Sequence, residues 1–244
     1  MYIIAGDSWG CGEWMLTNES YSVSHGGLSQ YLRDDGHKVI NLSRGGNSNW
    51  ANYELLDVWL QNCLISHIQN IFIFQTEWFR DHELRTPWTP KNYGYAIDAY
   101  DVNTASITIS KWLYALSAIA TRYNVKIGII GGCSDTIWLD KFEMEYPGLY
   151  IACQSLTNLC VNDDHRVGTP VTGLHNSVSI AVCKKQAVNQ DALNKLLNEI
   201  DLGEARHEVW KQNLELFYPD GYHANRIAHR KLYDFLIEMQ LIKK

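Results

Sequence analysis

Two periods govern the order of apolar and polar positions along the chain. Tyr2 to Ala5 is a short apolar, β-prone run closed by Gly6. A helix is expected over Leu28 to Leu32, stopped by Asp34-Asp35-Gly36, and Lys38 to Leu42 reads as a second strand. Beyond Gly45-Gly46, Leu55, Leu56, Trp59, Leu60 and Cys63 recur at helical spacing, and Ile71 to Phe74 is a continuous apolar run of the kind found in strands buried on both faces. Ile107, Trp112, Leu113, Leu116, Ile119 and Ala120 share another helical face, followed by a strand over Val125 to Ile130 and by Gly131-Gly132. This alternation predicts an α/β fold, a three-layer α/β/α sandwich around a central, mostly parallel sheet.

The stretch from Thr136 to Val182 is less regular: Leu149 to Ala152 and Val178 to Val182 look strand-like around a polar Gly/Pro/Asn-rich segment. From Gln186 the pattern is helical again. A closing helix, roughly Asn225 to Met239, places Ala228, Leu232, Phe235, Leu236 and Met239 on one stripe. No repeat, low-complexity tract or linker divides the chain, so residues 1–244 are expected to form a single domain with an insertion around 136–182.

Composition narrows the function classes. With 46% hydrophobic and 20% charged residues, the 244-residue chain is neither disordered nor fibrous. A net charge of −6 without a basic cluster argues against nucleic acid as a partner. No apolar run approaches the ~20 residues of a membrane helix, and no basic segment precedes Tyr2-Ile3-Ile4-Ala5, so no membrane partner and a cytoplasmic or otherwise non-secreted location are expected. Six cysteines (Cys11, Cys63, Cys133, Cys153, Cys160, Cys183) lack Cys-x-x-Cys pairing and read as reduced, mostly buried thiols.

In open α/β sheets, ligands sit beyond the carboxyl ends of the strands, so the residues after each predicted strand carry the chemistry. Gly6-Asp7-Ser8-Trp9 follows the first; its glycine permits a tight turn that presents Ser8, and backbone N–H groups there can stabilise an oxyanion. Asn41-Leu42-Ser43-Arg44-Gly45-Gly46-Asn47-Ser48 follows the second, with glycines that let a backbone N–H approach a ligand. Tyr218-Pro219-Asp220-Gly221-Tyr222-His223 stands before the closing helix. A serine hydroxyl needs a base to attack at neutral pH, and His223 is that base. Asp220, three residues earlier, is placed to bond the other ring nitrogen and fix the tautomer.

The order Gly-Asp-Ser, Gly-Gly-Asn and Asp-x-x-His, each at its place relative to the strands, resembles the SGNH, or GDSL-like, hydrolase superfamily. That resemblance spans nearly the whole chain and implies a flavodoxin-like α/β/α fold and ester hydrolysis with no cofactor and no metal. It assigns Ser8 as nucleophile and N–H oxyanion donor, Gly46 as second donor, His223 as base and Asp220 as its partner. The family's third block is usually Gly-x-Asn-Asp, its Asn a further oxyanion donor. This chain instead reads Phe74-Gln75-Thr76-Glu77-Trp78, leaving the Thr76 hydroxyl or the Gln75 amide as substitutes, with Glu77 repelling an oxyanion. Loss of one such donor costs roughly 10²–10³ in rate.

Nine tryptophans are many for this length, and Trp9, Trp50 and Trp78 each follow a predicted strand end. Packing is one use for them; stacking on a sugar face, together with Asn47 as a polar contact, is the other. The resulting expectation is a serine esterase for short acyl groups, acetyl first, on a small-molecule or glycan ester. The alternative is a catalytically degenerate ligand-binding or structural module on the same fold. Asp163-Asp164-His165 with His175 has the residue types of a metal site but no His-x-x-x-His pairing, and reads as a polar loop.

Overall fold

Strands that are apolar at every position are stable only when both faces are covered, and three such runs lie at the centre of the molecule. In the computed structural model, which describes residues 1–17, 20–63, 67–76, 102–133, 135–136, 142–166, 209–217 and 223–243, the strands are β1 (Tyr2–Ala5), β2 (Glu13–Thr17), β3 (Ser20–His25), β4 (Val39–Asn41), β5 (Asn70–Gln75), β6 (Ile127–Gly131) and β7 (Leu149–Cys153). The helices are α1 (Ser8–Cys11), α2 (Gly27–Asp34), α3 (Asn49–Gln61), α4 (Val102–Tyr123), α5 (Phe142–Glu145), α6 (Leu156–Asn162), α7 (Leu214–Phe217) and α8 (Arg226–Glu238).

The main sheet has the order β4-β1-β5-β6-β7, with every pairing parallel. Counting only its own strands along the chain, this is the doubly wound order 2-1-3-4-5, whose switch point lies between β1 and β5. Alternate side chains divide into two layers. Tyr2, Ile4, Phe72 and Phe74 pack with Leu28 and Leu32 of α2, Leu156 of α6 and Ala228, Leu232 and Leu236 of α8. Ile3, Ala5, Ile71, Ile73, Ile127 and Ile129 pack with Leu56 and Leu60 of α3 and Trp112, Leu116 and Ile119 of α4. The predicted three-layer architecture is the observed one. Each large side chain fully removed from water contributes about 1.5–3 kcal/mol, so both layers are needed to offset chain entropy.

Helix starts follow the side chains available to cap them. Ser48 accepts from Ala51 N–H (3.2 Å), Ser155 from Asn158 N–H (3.0 Å), and Asn225 from the N–H groups of Ile227 (2.9 Å) and Ala228 (3.2 Å). β6 begins at Ile127 rather than at Val125, because the Val125 N–H turns back to the Ala120 carbonyl (3.0 Å) and closes the end of α4. β7 lies where Leu149 to Ala152 led one to expect it. The expected strand at Val178–Val182 lies outside the described residues, as does the start of the helical pattern at Gln186. No helix among the described residues is long and apolar enough to cross a membrane.

The main departure from expectation is the antiparallel hairpin β2–β3, inserted between α1 and α2. Gly12 makes the turn into it at φ +118°; a Cβ there would stand 2.2 Å from the His25 carbonyl oxygen, so only glycine lets the hairpin return so close to its own start.

Candidate active site

The turn after β1 is built around Asp7. Its buried carboxyl caps α1 by accepting from the Trp9 N–H (3.0 Å), and its other oxygen accepts from the Thr76 hydroxyl at the end of β5 (2.6 Å). Asn49, at the start of α3, accepts the Thr76 N–H (3.0 Å) and donates its own amide to the Thr76 carbonyl (3.1 Å). The ends of β1, β5 and α3 are thereby tied together at the switch point. α1 rests on Phe74: a Cβ at Gly6 would lie 2.7 Å from Phe74 Cβ, so the turn packs directly on β5. Ser8, the first helical residue, is half-buried.

His223 reaches that serine from the other end of the chain, its Nε2 2.9 Å from Ser8 Oγ. Its position follows from the cap of α8 two residues later: the Asn225 N–H donates to the Leu216 carbonyl (2.8 Å) and its side-chain amide to the Glu215 carbonyl (2.8 Å), while Ala224 is fully buried. Nδ1 of His223 lies 3.2 Å from the Tyr21 hydroxyl. Asp220 lies outside the described residues.

Neither Tyr21 nor its neighbour Trp14 was singled out in the sequence. Their rings stack at 5.2 Å and 16°, and lie 5.9 Å and 5.8 Å from the His223 ring. The Trp14 indole N–H donates to the Ser8 carbonyl (2.8 Å). The hairpin is fastened at its base by Glu13, whose carboxylate takes two bonds from the Arg226 guanidinium (2.7 and 2.9 Å) and one from the Arg226 N–H (2.7 Å). These bonds hold the Glu13 carboxyl down to about 2 despite its partial burial.

The other expected site residues divide. The loop after β4 is seated beside the Ser8 turn by the Arg44 N–H, which donates to the Gly6 carbonyl (3.0 Å); Gly46 in that loop is exposed at φ +78°. Asn47 donates one side-chain amide N–H to Asn52 of α3 (2.9 Å). Thr76 is not a third oxyanion donor: its hydroxyl is committed to Asp7, its N–H to Asn49, and it is fully buried. The Gln75 amide is likewise committed, to the Asp135 carbonyl (2.8 Å).

The tryptophan wall is also corrected. Trp9 is buried against Trp210 (5.1 Å) and Phe217 (6.0 Å), because consecutive helical residues point about 100° apart and Ser8 already takes the side facing His223. Trp50 packs edge-on to Tyr53 (5.3 Å) in the opposite layer of the sandwich. Trp78 and Glu77 lie outside the described residues. Of the polar loop, Asp163 pairs with Lys231 (2.9 Å) and Asp164 with Arg166 (2.7 Å); His175 is outside the described residues, among which no cluster of three or more potential metal ligands occurs. Cys11, Cys63, Cys153 and Cys160 are free thiols, and Cys183 is not among the described residues.

No family model matches this chain, and no curated protein matches it. Among solved structures it is similar to EstA, a psychrotrophic esterase from Pseudoalteromonas sp. inhibited by monoethylphosphonate, at 12% identity over 98% of this chain and 97% of that one, with a TM-score of 0.44. It is similar to a member of the lipolytic G-D-S-L family from Veillonella parvula at 11% identity over 99% and 98% of the two chains, TM-score 0.43. An acetyl xylan esterase is similar at 14% identity over 98% and 99%, TM-score 0.44.

Proposed function

We propose that this chain is a serine ester hydrolase of the SGNH type, with Ser8 as nucleophile and His223 as general base. The observation that carries the reading is the 2.9 Å approach of His223 Nε2 to Ser8 Oγ at the switch point of the sheet. At that distance Nε2 takes the hydroxyl proton as Oγ attacks the acyl carbon. The imidazolium then returns the proton to the leaving alcohol, giving an acyl-Ser8 ester. Water, deprotonated by the same nitrogen, hydrolyses that ester and restores the free hydroxyl. The N–H groups of Ser8 and Gly46 serve the oxyanion, and Asp220 compensates the charge on His223. Without a third donor from Thr76, turnover is expected to be about 10²–10³ lower than in a site that has one.

The leaving alcohol must sit beside the nitrogen that protonates it, and the rings flanking His223 are Trp14 and Tyr21. An aromatic surface suits the apolar face of a pyranose, so the reading extends to short acyl groups, acetyl first, carried on a carbohydrate. The rings that support it are those of the hairpin, in place of Trp9 and Trp50.

The test is hydrolysis of nitrophenyl acetate by the wild type and by Ser8→Ala, together with mass analysis after exposure to a serine-directed phosphonate. Activity lost in the variant and a single adduct on the peptide containing Ser8 are expected. An equally active variant, or an adduct elsewhere, removes the assignment and leaves a non-catalytic binding module on this fold.

A further inference from the structure

We infer that Tyr21 is a positioning residue for His223, fixing the tautomer in which Nε2 is free to accept the Ser8 proton. This inference rests on the reading of Ser8 and His223 as nucleophile and base. For Nε2 to accept, the ring must carry its proton on Nδ1, and that N–H needs an acceptor. The Tyr21 hydroxyl oxygen stands 3.2 Å from Nδ1. Tyr21 is 43% exposed, so its own proton can be given to water while a lone pair faces the imidazole.

The placement is not accidental to one side chain. Trp14 and Tyr21 share one face of the hairpin: the register pairs Trp14 with Val23, cross-strand partners point the same way, and Val23 and Tyr21 are two apart on one strand. The stacked Trp14 ring holds the Tyr21 ring, and its own N–H is bonded to the Ser8 carbonyl. The hairpin base is tied through Glu13 to Arg226, three residues after His223. One short insertion therefore touches the nucleophile through Trp14 and the base through Tyr21, and sets the distance between two residues that the parallel sheet alone does not bring into register. The hydroxyl of Tyr21 adds a neutral acceptor at Nδ1 whatever Asp220 contributes there, so the two can be removed separately.

Tyr21→Phe keeps the stack on Trp14 and deletes only the hydroxyl. The ¹⁵N chemical shifts of the His223 ring, recorded without substrate, read the tautomer directly; the Nδ1–H form is expected to dominate in the wild type and to lose population in Tyr21→Phe. With nitrophenyl acetate, kcat should fall about tenfold with KM changed less than about twofold, the size expected for loss of one such hydrogen bond. A wild-type ring protonated on Nε2, or shifts and kcat unchanged in Tyr21→Phe, would overturn the inference. Because the shifts need no turnover, they remain decisive even if Ser8→Ala shows that the chain is not a hydrolase.

Discussion

Thr76 donates its hydroxyl to the Asp7 carboxyl across a 2.6 Å hydrogen bond, and neither residue is exposed to water. The position at which a third oxyanion donor was expected therefore supports the turn that carries Ser8 instead. Asp7 in turn caps the short helix that begins at Ser8, so the bond links the end of β5 to the orientation of the serine.

Thr76→Val preserves shape and removes the donor. Taking one partner from a buried carboxyl costs about 1–3 kcal/mol, which at this chain length lowers Tm by roughly 2–10 °C. Thr76→Ser should recover most of the loss. Thermal melts of the three proteins check this, and a Val variant as stable as the wild type would mean that the bond contributes nothing.

Asp220→Asn should leave the melting temperature within about a degree and lower kcat by about 10²–10⁴ if Asp220 orients and compensates His223. Steady-state kinetics on nitrophenyl acetate decide it. Unchanged turnover would leave Tyr21 as the group that orients the ring and reduce Asp220 to a turn residue.

His229 is fully buried on α8 against Phe74, with neither ring nitrogen hydrogen-bonded to any described residue. Burial, reinforced by the nearby His25, pushes it down to about 3. The unfolded chain binds this proton near pH 6.5 and the folded one near 3, so His229 makes stability fall as pH drops through that window and has no effect above it. His229→Leu should match or exceed the wild-type Tm at pH 7, and lose less of it between pH 6.5 and 4. Parallel melts across that range test the slope; identical slopes would exclude His229 as a source of acid sensitivity.

The sheet was legible because its central strands carry continuous apolar runs, a pattern that buried parallel strands produce and loops do not. Ile71–Phe74 and Val125–Ile130 led to β5 and β6 within two residues. The proximity of Ser8 and His223 was legible because each lies at an element boundary, where Gly6 and the cap of α8 leave a local mark. The hairpin was missed although Ser20-Tyr21-Ser22-Val23-Ser24 alternates polar and apolar residues strictly, the signal of a half-exposed strand. It was overlooked because its apolar members cover a site and not a core. Trp9 was misread for the converse reason: its neighbourhood to Ser8 in sequence concealed that a helix turns adjacent residues in different directions. The partners of Thr76 could not be read at all, since Asp7 lies 69 positions away and only the order β4-β1-β5 brings them together.

Ser8 and His223 are separated by 215 positions. During synthesis the segment bearing Ser8 leaves the ribosome first, and at about 5–20 residues per second the histidine follows on the order of 10–40 s later. Through that interval β1, β4 and β5 have their sequences available to pair, while the Ser8 hydroxyl does not yet have the His223 imidazole beside it. The Ser8–His223 pair therefore forms only when α8 docks on α2, and under the proposed function the onset of ester cleavage would be a clock for the completion of folding.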